Sequence, residues 1–419
     1  MIGYLLFTAF LSSMPWVWIN LLPFSFNLRP SLAMAIPFVA YFLLKGKIKL
    51  KLTDTSALLL IIAFFTVWML PGFLYENPHW SGTMVLSQMI YAIAGFFAAQ
   101  AYGAISQQPV WGKLWPVMAL VILGSTFFAY RTAFGSIAMS MNVSSSSGFI
   151  FNTLYGGVFS EEGKGLRHTM SMAPVLLIAF SLINFKFMPL VNIIVIVASA
   201  YLVFFSFSRS AWLALVLIMA LVLRALFQVN PAAFAKMIFV AAVVVLGGIA
   251  AMTLFPGGVA WFADILLDRI FDSQSTGGRA WVIGQVLFNT ELPEWLAGYN
   301  REIQQYPHNY ILDGLMQSGF LGFLGPLVIV VVILKNYGTS LLFGTKENIL
   351  YASLLVPALV RCFTAGGGLH IAELFALFTY FYFVTGEREN ERGERNMPDP
   401  GKQYVLSNNL SRRQKWNHK

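Results

Sequence analysis

The chain has 419 residues, of which 58% are hydrophobic and 11% are charged, with a formal net charge of +9 and a mean hydropathy of +0.69. A soluble core cannot hold that much apolar surface, so the composition excludes a soluble globular protein and predicts an all-α, polytopic integral membrane protein. The single cysteine, Cys362, excludes a disulfide framework and a thiolate metal cluster.

Apolar runs along the chain predict twelve transmembrane helices. The N-terminus lacks the basic segment and the cleavage site of a signal peptide, so we assign its apolar run to the first helix. In chain order the predicted spans are residues 3–22, 30–45, 56–74, 83–104, 114–134, 168–184, 188–206, 211–228, 237–254, 312–334, 349–366 and 370–386.

Basic residues predict the orientation. The segment KGKIKLKL, residues 45–52, follows the second span and contains four lysines, which keep this side of the hairpin in the cytoplasm. An even number of spans then places the basic C-terminal tail on the same side, so both termini are predicted to be cytoplasmic. The predicted domains are residues 1–254 with helices 1–9, a periplasmic loop at 255–311, residues 312–386 with helices 10–12, and a cytoplasmic tail at 387–419.

The two predicted faces differ in the type of cation they carry. Eighteen of the 27 basic residues fall on the cytoplasmic side, two-thirds of them lysine, whereas eight of the remaining nine are arginine. Arginine presents a planar fork that binds phosphate or carboxylate in a bidentate way, which lysine cannot do. The outer face is therefore predicted to recognise an anionic ligand, although any single arginine there could instead cap a helix or extend to the interface.

Three polar motifs stand out on the predicted outer face. In SFSRSAW, Arg209 follows a span and is flanked by serines. In STGGRAWVIGQVLF, Arg279 follows two glycines at the predicted start of an amphipathic helix, where free backbone N–H groups favour an anion. In QQYPHNYILDGLMQSGFLG, His308 and Asn309 lie just before the tenth span.

In this order and topology, the motifs resemble those of the O-antigen ligase and O-antigen polymerase superfamily, bacterial glycosyltransferases that use lipid-linked glycan donors. The resemblance covers roughly the second half of the chain. It assigns catalytic roles to Arg209, Arg279 and His308, and RHTMSMAP, which begins at Arg167, is a looser match. One departure is visible, because the glycine pair that the family tends to show before the histidine is reduced here to Gly298.

The resemblance implies transfer of a glycan from undecaprenyl pyrophosphate to a sugar hydroxyl at the periplasmic face of the bacterial inner membrane. Arg209 and Arg279 would hold the pyrophosphate, and His308 would remove the proton from the acceptor hydroxyl. We also expect Arg167, Arg301 and Asn309 to bind substrate. The partners expected are the lipid-linked donor, a lipid A–core or glycan acceptor and membrane lipids, with no nucleic acid, no cofactor and no obligatory metal.

Other acidic residues offer weaker interpretations. Asp264, Asp268 and Asp272 recur every four residues, but the apolar residues between them describe an amphipathic helix on the membrane surface rather than a metal site. Glu161 and Glu162 are alternative candidates for the base, although a hydrated surface accounts for both.

Two alternatives to a ligase remain. A polymerase of the same superfamily would use the same arginines and base, and a single dominant outer loop favours the ligase. A transporter or flippase of lipid-linked glycans would carry ionisable residues within the membrane, where the candidates are Asp313, Arg361 and Glu373. The last two are predicted to pair with each other.

Overall fold

The computed structural model describes residues 1–16, 29–48, 52–74, 82–134, 163–206, 208–232, 282–286, 288–299, 309–364 and 368–396. Most of these residues are helical, and none of them lies in a strand. In chain order the helices are α1 (Ile2–Ser13), α2 (Pro30–Leu44), α3 (Leu52–Leu74), α4 (Gly82–Ser106), α5 (Trp111–Phe134), α6 (Gly163–Ile183), α7 (Pro189–Phe205), α8 (Arg209–Val229), α9 (Leu292–Ala297), α10 (Tyr310–Phe343), α11 (Lys346–Ala352), α12 (Leu355–Thr364) and α13 (Ile371–Asn396).

Four of the described helices are long and apolar enough to cross a membrane: Val85–Ser106, Trp111–Thr132, Arg209–Val229 and Tyr310–Phe343. Shorter apolar helices occur at Ile2–Ser13, Pro30–Leu44, Asp54–Leu70, Met170–Ile183, Pro189–Phe204 and Ile371–Val384. The described chain is thus all-helical, with the helices of a membrane protein. The predicted ninth span, 237–254, lies outside the described residues, and the count of twelve stays a prediction.

Local sequence explains where several helices begin. Arg29 has extended backbone angles, and Pro30 and Pro189 occupy the first turn of α2 and α7. Proline suits this position because its ring fixes a helical φ and the missing N–H has no partner there in any case. Asn309 caps α10 with its side chain. These signals set the helix boundaries close to the predicted ones.

An aromatic core joins the first and last helices of the bundle. The ring of Phe10 on α1 lies 5.8 Å from that of Phe38 on α2 and 5.1 Å from that of Phe375 on α13. Phe375 also stacks on Phe180 of α6, with 5.7 Å between ring centroids. All four side chains are fully buried. Because the partners come from distant parts of the sequence, these rings fix how the helices pack together.

Two tryptophans attach α5 to the turn between α6 and α7 and to the first turn of α7. The indole N–H of Trp111 donates to Asn184 Oδ1 at 2.7 Å, and that of Trp115 donates to Asn192 Oδ1 at 2.9 Å. All four residues are buried. A buried N–H without an acceptor would cost free energy, so these pairs stabilise one relative position of the three helices.

The predicted tenth span differs from a continuous helix. α10 is broken at Ser318 and Gly319, whose backbone angles are non-helical, and the Ser318 hydroxyl donates to the Trp68 carbonyl at 3.0 Å. The two arms, residues 310–317 and 320–343, touch at Gly314 and Gly322, where a Cβ on Gly314 would overlap the carbonyl oxygen of Gly322. The predicted eleventh span is also divided, into α11 and α12.

Gly319 at this break gives a first prediction. Its φ is +59°, and an added Cβ would lie 2.7 Å from the backbone oxygens of Trp295 and Leu296. Substituting Gly319→Ala is therefore expected to lower the free energy of unfolding by about 1–3 kcal/mol, since alanine both strains this backbone and collides with α9. Thermal unfolding of the purified protein in detergent measures the change.

Gly338, in the second arm of α10, is the matched control. It has helical backbone angles, and an added Cβ would meet no atom within 4 Å. Gly338→Ala should leave stability unchanged or raise it by roughly 0.5–1 kcal/mol, because alanine favours a helix interior. If both variants unfold at the same temperature, the break does not depend on glycine.

Candidate functional site

Arg209, the predicted pyrophosphate ligand, is the first residue of α8 and is half-buried. The hydroxyl of Ser208 caps the helix by accepting a hydrogen bond from the Ala211 N–H at 3.4 Å. The Oγ atoms of Ser208 and Ser210 lie 2.9 Å apart, and Ser206 is buried beside them. The serines around Arg209 thus fix the backbone where α8 begins.

The turn before Arg209 is also held from the other side. The indole N–H of Trp212 donates to the Phe204 carbonyl at 3.1 Å, and the two rings stack with 5.8 Å between centroids. Arg209 is the first residue of a 21-residue helix, so its guanidinium adds to the positive end of the helix dipole. This turn can therefore attract an anion such as a phosphate.

Arg167 lies within α6, although its side chain is outside the described residues. α6, α7 and α8 follow one another through short turns and pack against one another. Consecutive helices joined in this way run antiparallel, so α6 and α8 are parallel and begin at the same end of the bundle. The fold therefore brings the starts of the helices carrying Arg167 and Arg209 to one side.

The described end of the long polar loop forms a small cap, residues 282–286 and 288–299. Val282 and Tyr299 of the cap pack with Leu312 and Leu315 on the first arm of α10. The Tyr299 N–H donates to the Met316 carbonyl at 2.8 Å. Part of the loop that contains Arg279 and Arg301 in sequence is thus folded onto the bundle.

Gly298 has a structural role in this cap. α9 begins with a capping box, in which Glu291 and Glu294 each bind the other's backbone N–H, and it ends at Gly298. The φ of Gly298 is 90°, a conformation that other residues rarely adopt. Gly298 therefore directs the chain out of α9.

Three of the predicted site residues, Arg279, Arg301 and His308, lie outside the described residues, so their roles stay predictions. Asn309 is described, and its Oδ1 accepts a hydrogen bond from the Ile311 N–H at 3.0 Å. This bond gives Asn309 a structural role as the N-cap of α10. Its role in substrate binding stays a prediction.

A cluster of charged residues lies where α12 and α13 meet. The Arg361 guanidinium is 3.8 Å from Glu373 Oε1, which confirms the pairing predicted from sequence. The exposed fractions of the two side chains are only 5% and 0%. Arg361 Nε also donates to the Gly368 carbonyl at 2.8 Å, and the backbone N–H of His370 donates to Glu373 Oε2 at 3.0 Å.

His370 extends the cluster to α2 and was missed by the sequence analysis. Its Nδ1 lies 3.1 Å from Arg29 Nη1, and its ring meets Tyr91 edge-on at 5.9 Å. Arg29 can only donate, so Nδ1 accepts and the ring proton is on Nε2. A histidine three residues before a glutamate, after three glycines in an apolar region, was the available signal. We call Arg29, Arg361, His370 and Glu373 the charged cluster.

The described part of the chain contains no group of three or more His, Cys, Asp or Glu side chains placed to hold a metal. The acidic candidates from sequence, Glu161, Glu162, Asp264, Asp268 and Asp272, lie outside it. The described geometry thus offers two basic centres, the start of α8 and the charged cluster. Comparisons with family models, curated proteins and solved structures find no match to this chain.

Proposed function

We propose that this chain is a glycosyltransferase that moves a glycan from undecaprenyl pyrophosphate to a sugar hydroxyl of lipid A–core. In this proposal twelve helices span the bacterial inner membrane, both termini are cytoplasmic, and the reaction takes place at the periplasmic face without a metal. The observation that carries the proposal is Arg209, held by buried serines at the start of α8 on the predicted outer side.

The proposed reaction is a single displacement. The acceptor oxygen attacks the anomeric carbon, and the bond between that carbon and the pyrophosphate oxygen breaks. His308 takes the hydroxyl proton, while undecaprenyl pyrophosphate leaves with the bonding electrons. Arg209 and Arg279 stabilise the charge that develops on the leaving group, where an arginine pairs with two phosphate oxygens at once.

The cap supports a site shared between loop and bundle. Val282, three residues after Arg279, packs against the first arm of α10, whose N-cap, Asn309, is the residue after His308. The described neighbours of the two predicted catalytic residues therefore belong to one packed unit. A loop that was independent of the bundle would not place Val282 against α10.

A transporter of lipid-linked glycans is the second candidate. Two observations favour it: α10 is a broken helix, and the Arg361–Glu373 pair is buried. Transporters commonly bind substrate at discontinuous helices and carry ionisable residues within the membrane. We prefer the glycosyltransferase to the transporter because of the motifs around Arg209, Arg279 and His308. A transport function does not explain these motifs.

A reconstituted assay tests the proposal against both alternatives. Purified full-length protein in vesicles is given an undecaprenyl-pyrophosphate-linked glycan and lipid A–core, and we expect glycan on the core together with free undecaprenyl pyrophosphate. Movement of the lipid across the bilayer without glycan transfer would establish the transporter instead. Chain extension on the lipid carrier, with no glycan on the core, would establish a polymerase.

Arg209→Lys tests the role of the guanidinium in the same assay. We expect about 10²–10³-fold slower transfer, because an ammonium keeps the charge but cannot form two parallel hydrogen bonds to a phosphate. Arg131→Lys is the matched control, since Arg131 is an exposed arginine in the last turn of α5. If Arg209→Lys kept full activity, Arg209 would act only as a positive charge that helps to set the membrane topology.

A further inference from the structure

An apolar groove of about 620 Å³ runs between α3, α4, α10 and α13. Its walls include Phe64, Leu324, Val332 and Phe378. Along the second arm of α10 the lining extends from Leu321 to Ile333, a rise of about 18 Å, which is close to the depth of one leaflet's hydrocarbon layer. The groove therefore has the length and character needed to hold a lipid chain.

The groove ends beside the loop between α12 and α13, where His370 of the charged cluster lies. Leu369 and Gln88 both line the groove, and the Gln88 amide lies against Gly368. The neighbours of Leu369 belong to the cluster, since the Gly368 carbonyl binds Arg361 and the His370 ring binds Arg29. Gly368, Leu369 and His370 thus lie between the apolar groove and the charged cluster.

The charge of the cluster is not balanced by its own residues. Arg29 and Arg361 are cations, Glu373 is an anion and His370 accepts from Arg29, so the four groups carry one net positive charge. Two arginines at one end of an apolar groove form a centre that attracts an anionic headgroup.

The cluster lies at the predicted outer end of the bundle. Arg29 precedes α2 and Lys45 follows it, so the cluster and the cytoplasmic lysines are at opposite ends of this helix. A lipid with its phosphate at Arg29 would extend its chain along the groove into the outer leaflet. This is the geometry of a membrane lipid in its normal orientation.

We propose that the groove and the charged cluster bind a polyprenyl phosphate, with one isoprenoid chain along α3 and α10 and the phosphate at Arg29 and Arg361. The choice of an isoprenoid rests on the proposed function. The volume of the groove suits a single chain and not the several acyl chains of lipid A. The phosphate end of this site is built by α2, α12 and α13, whereas Arg209 begins α8.

Competition binding tests the ligand. Full-length protein carrying Arg209→Gln, which removes the anion site at the start of α8, is placed in phosphatidylethanolamine nanodiscs with radiolabelled undecaprenyl phosphate. We expect unlabelled undecaprenyl phosphate to compete at least tenfold better than undecaprenol, phosphatidylglycerol or inorganic phosphate. Equal competition by phosphatidylglycerol or by inorganic phosphate would overturn the proposal, in favour of a general anionic-lipid site or a free-phosphate site.

Substitutions in the same background test the location. Arg29→Gln removes the less buried cation, and Ala63→Trp fills the groove from an exposed position on α3. Each should weaken undecaprenyl phosphate binding by about tenfold or more, as expected when an ionic hydrogen bond or the chain's contacts are lost. The controls Arg131→Gln and Leu59→Trp, at exposed positions outside the groove, should bind as the parent does.

The outcomes also separate this site from the proposed function, because the binding assay contains neither glycan nor acceptor. Unchanged binding in both Arg29→Gln and Ala63→Trp overturns the site even if the wild-type protein transfers glycan. Selective binding that these two variants lose supports the site even if no transfer is found.

Discussion

Replacing His308 with alanine is expected to slow glycan transfer by about 10²–10⁴-fold, the usual contribution of a general base. The acceptor hydroxyl would then have to lose its proton to water. His308 precedes the N-cap of α10 and lies outside the predicted spans, so we expect normal membrane insertion and an unchanged unfolding temperature.

The pH profile makes this prediction specific to a base. An ordinary histidine has a pKa of about 6.5, so wild-type activity should rise with pH through that region, and the variant should lose the rise. His418→Ala, in the C-terminal tail, is the control and should keep both the rate and the profile. Near-normal activity of the His308 variant would remove the residue from the mechanism.

Hydropathy could predict where most of the described helices lie but not where they break. Burial in lipid requires long apolar runs with internally satisfied backbone, which is why α4, α5 and α8 match the predicted spans closely. The break in α10 depends on a positive φ at Gly319 and on the contact between Ser318 and Trp68, which is 250 residues away. A hydropathy average along the sequence detects neither the positive φ nor the distant contact.

The candidate site was predictable only in part, and for a similar reason. The pair Arg361–Glu373 could be predicted because two opposite charges in neighbouring apolar segments must find partners. The contact between Arg29 and His370 spans 341 residues, and no local pattern connects them. Arg209 was found through its serines, whose capping bonds are local.

Substituting Arg361→Ala is expected to destabilise the protein by about 3–5 kcal/mol, the typical result of leaving one partner of a buried ion pair alone. Glu373 is fully buried and would lose the guanidinium beside it. The Gly368 carbonyl would also lose its hydrogen bond from Arg361 Nε. Unfolding in mixed detergent micelles measures the loss, and Arg131→Ala, an exposed position, should change stability by less than about 0.5 kcal/mol.

The double variant Arg361→Met/Glu373→Met separates the cost of an unpaired charge from the value of the pair. Because burying two charges costs about as much as their attraction returns, we expect the double variant to regain most of the lost stability. It should still bind undecaprenyl phosphate about tenfold more weakly than the parent, since the Arg361 guanidinium is gone while the fold is restored and Arg29 remains. If the double variant is as unstable as Arg361→Ala, the hydrogen bond to Gly368 is the main contribution of Arg361. If Arg361→Ala is as stable as the Arg131 control, the pair is hydrated and the charge argument for an anionic ligand is lost.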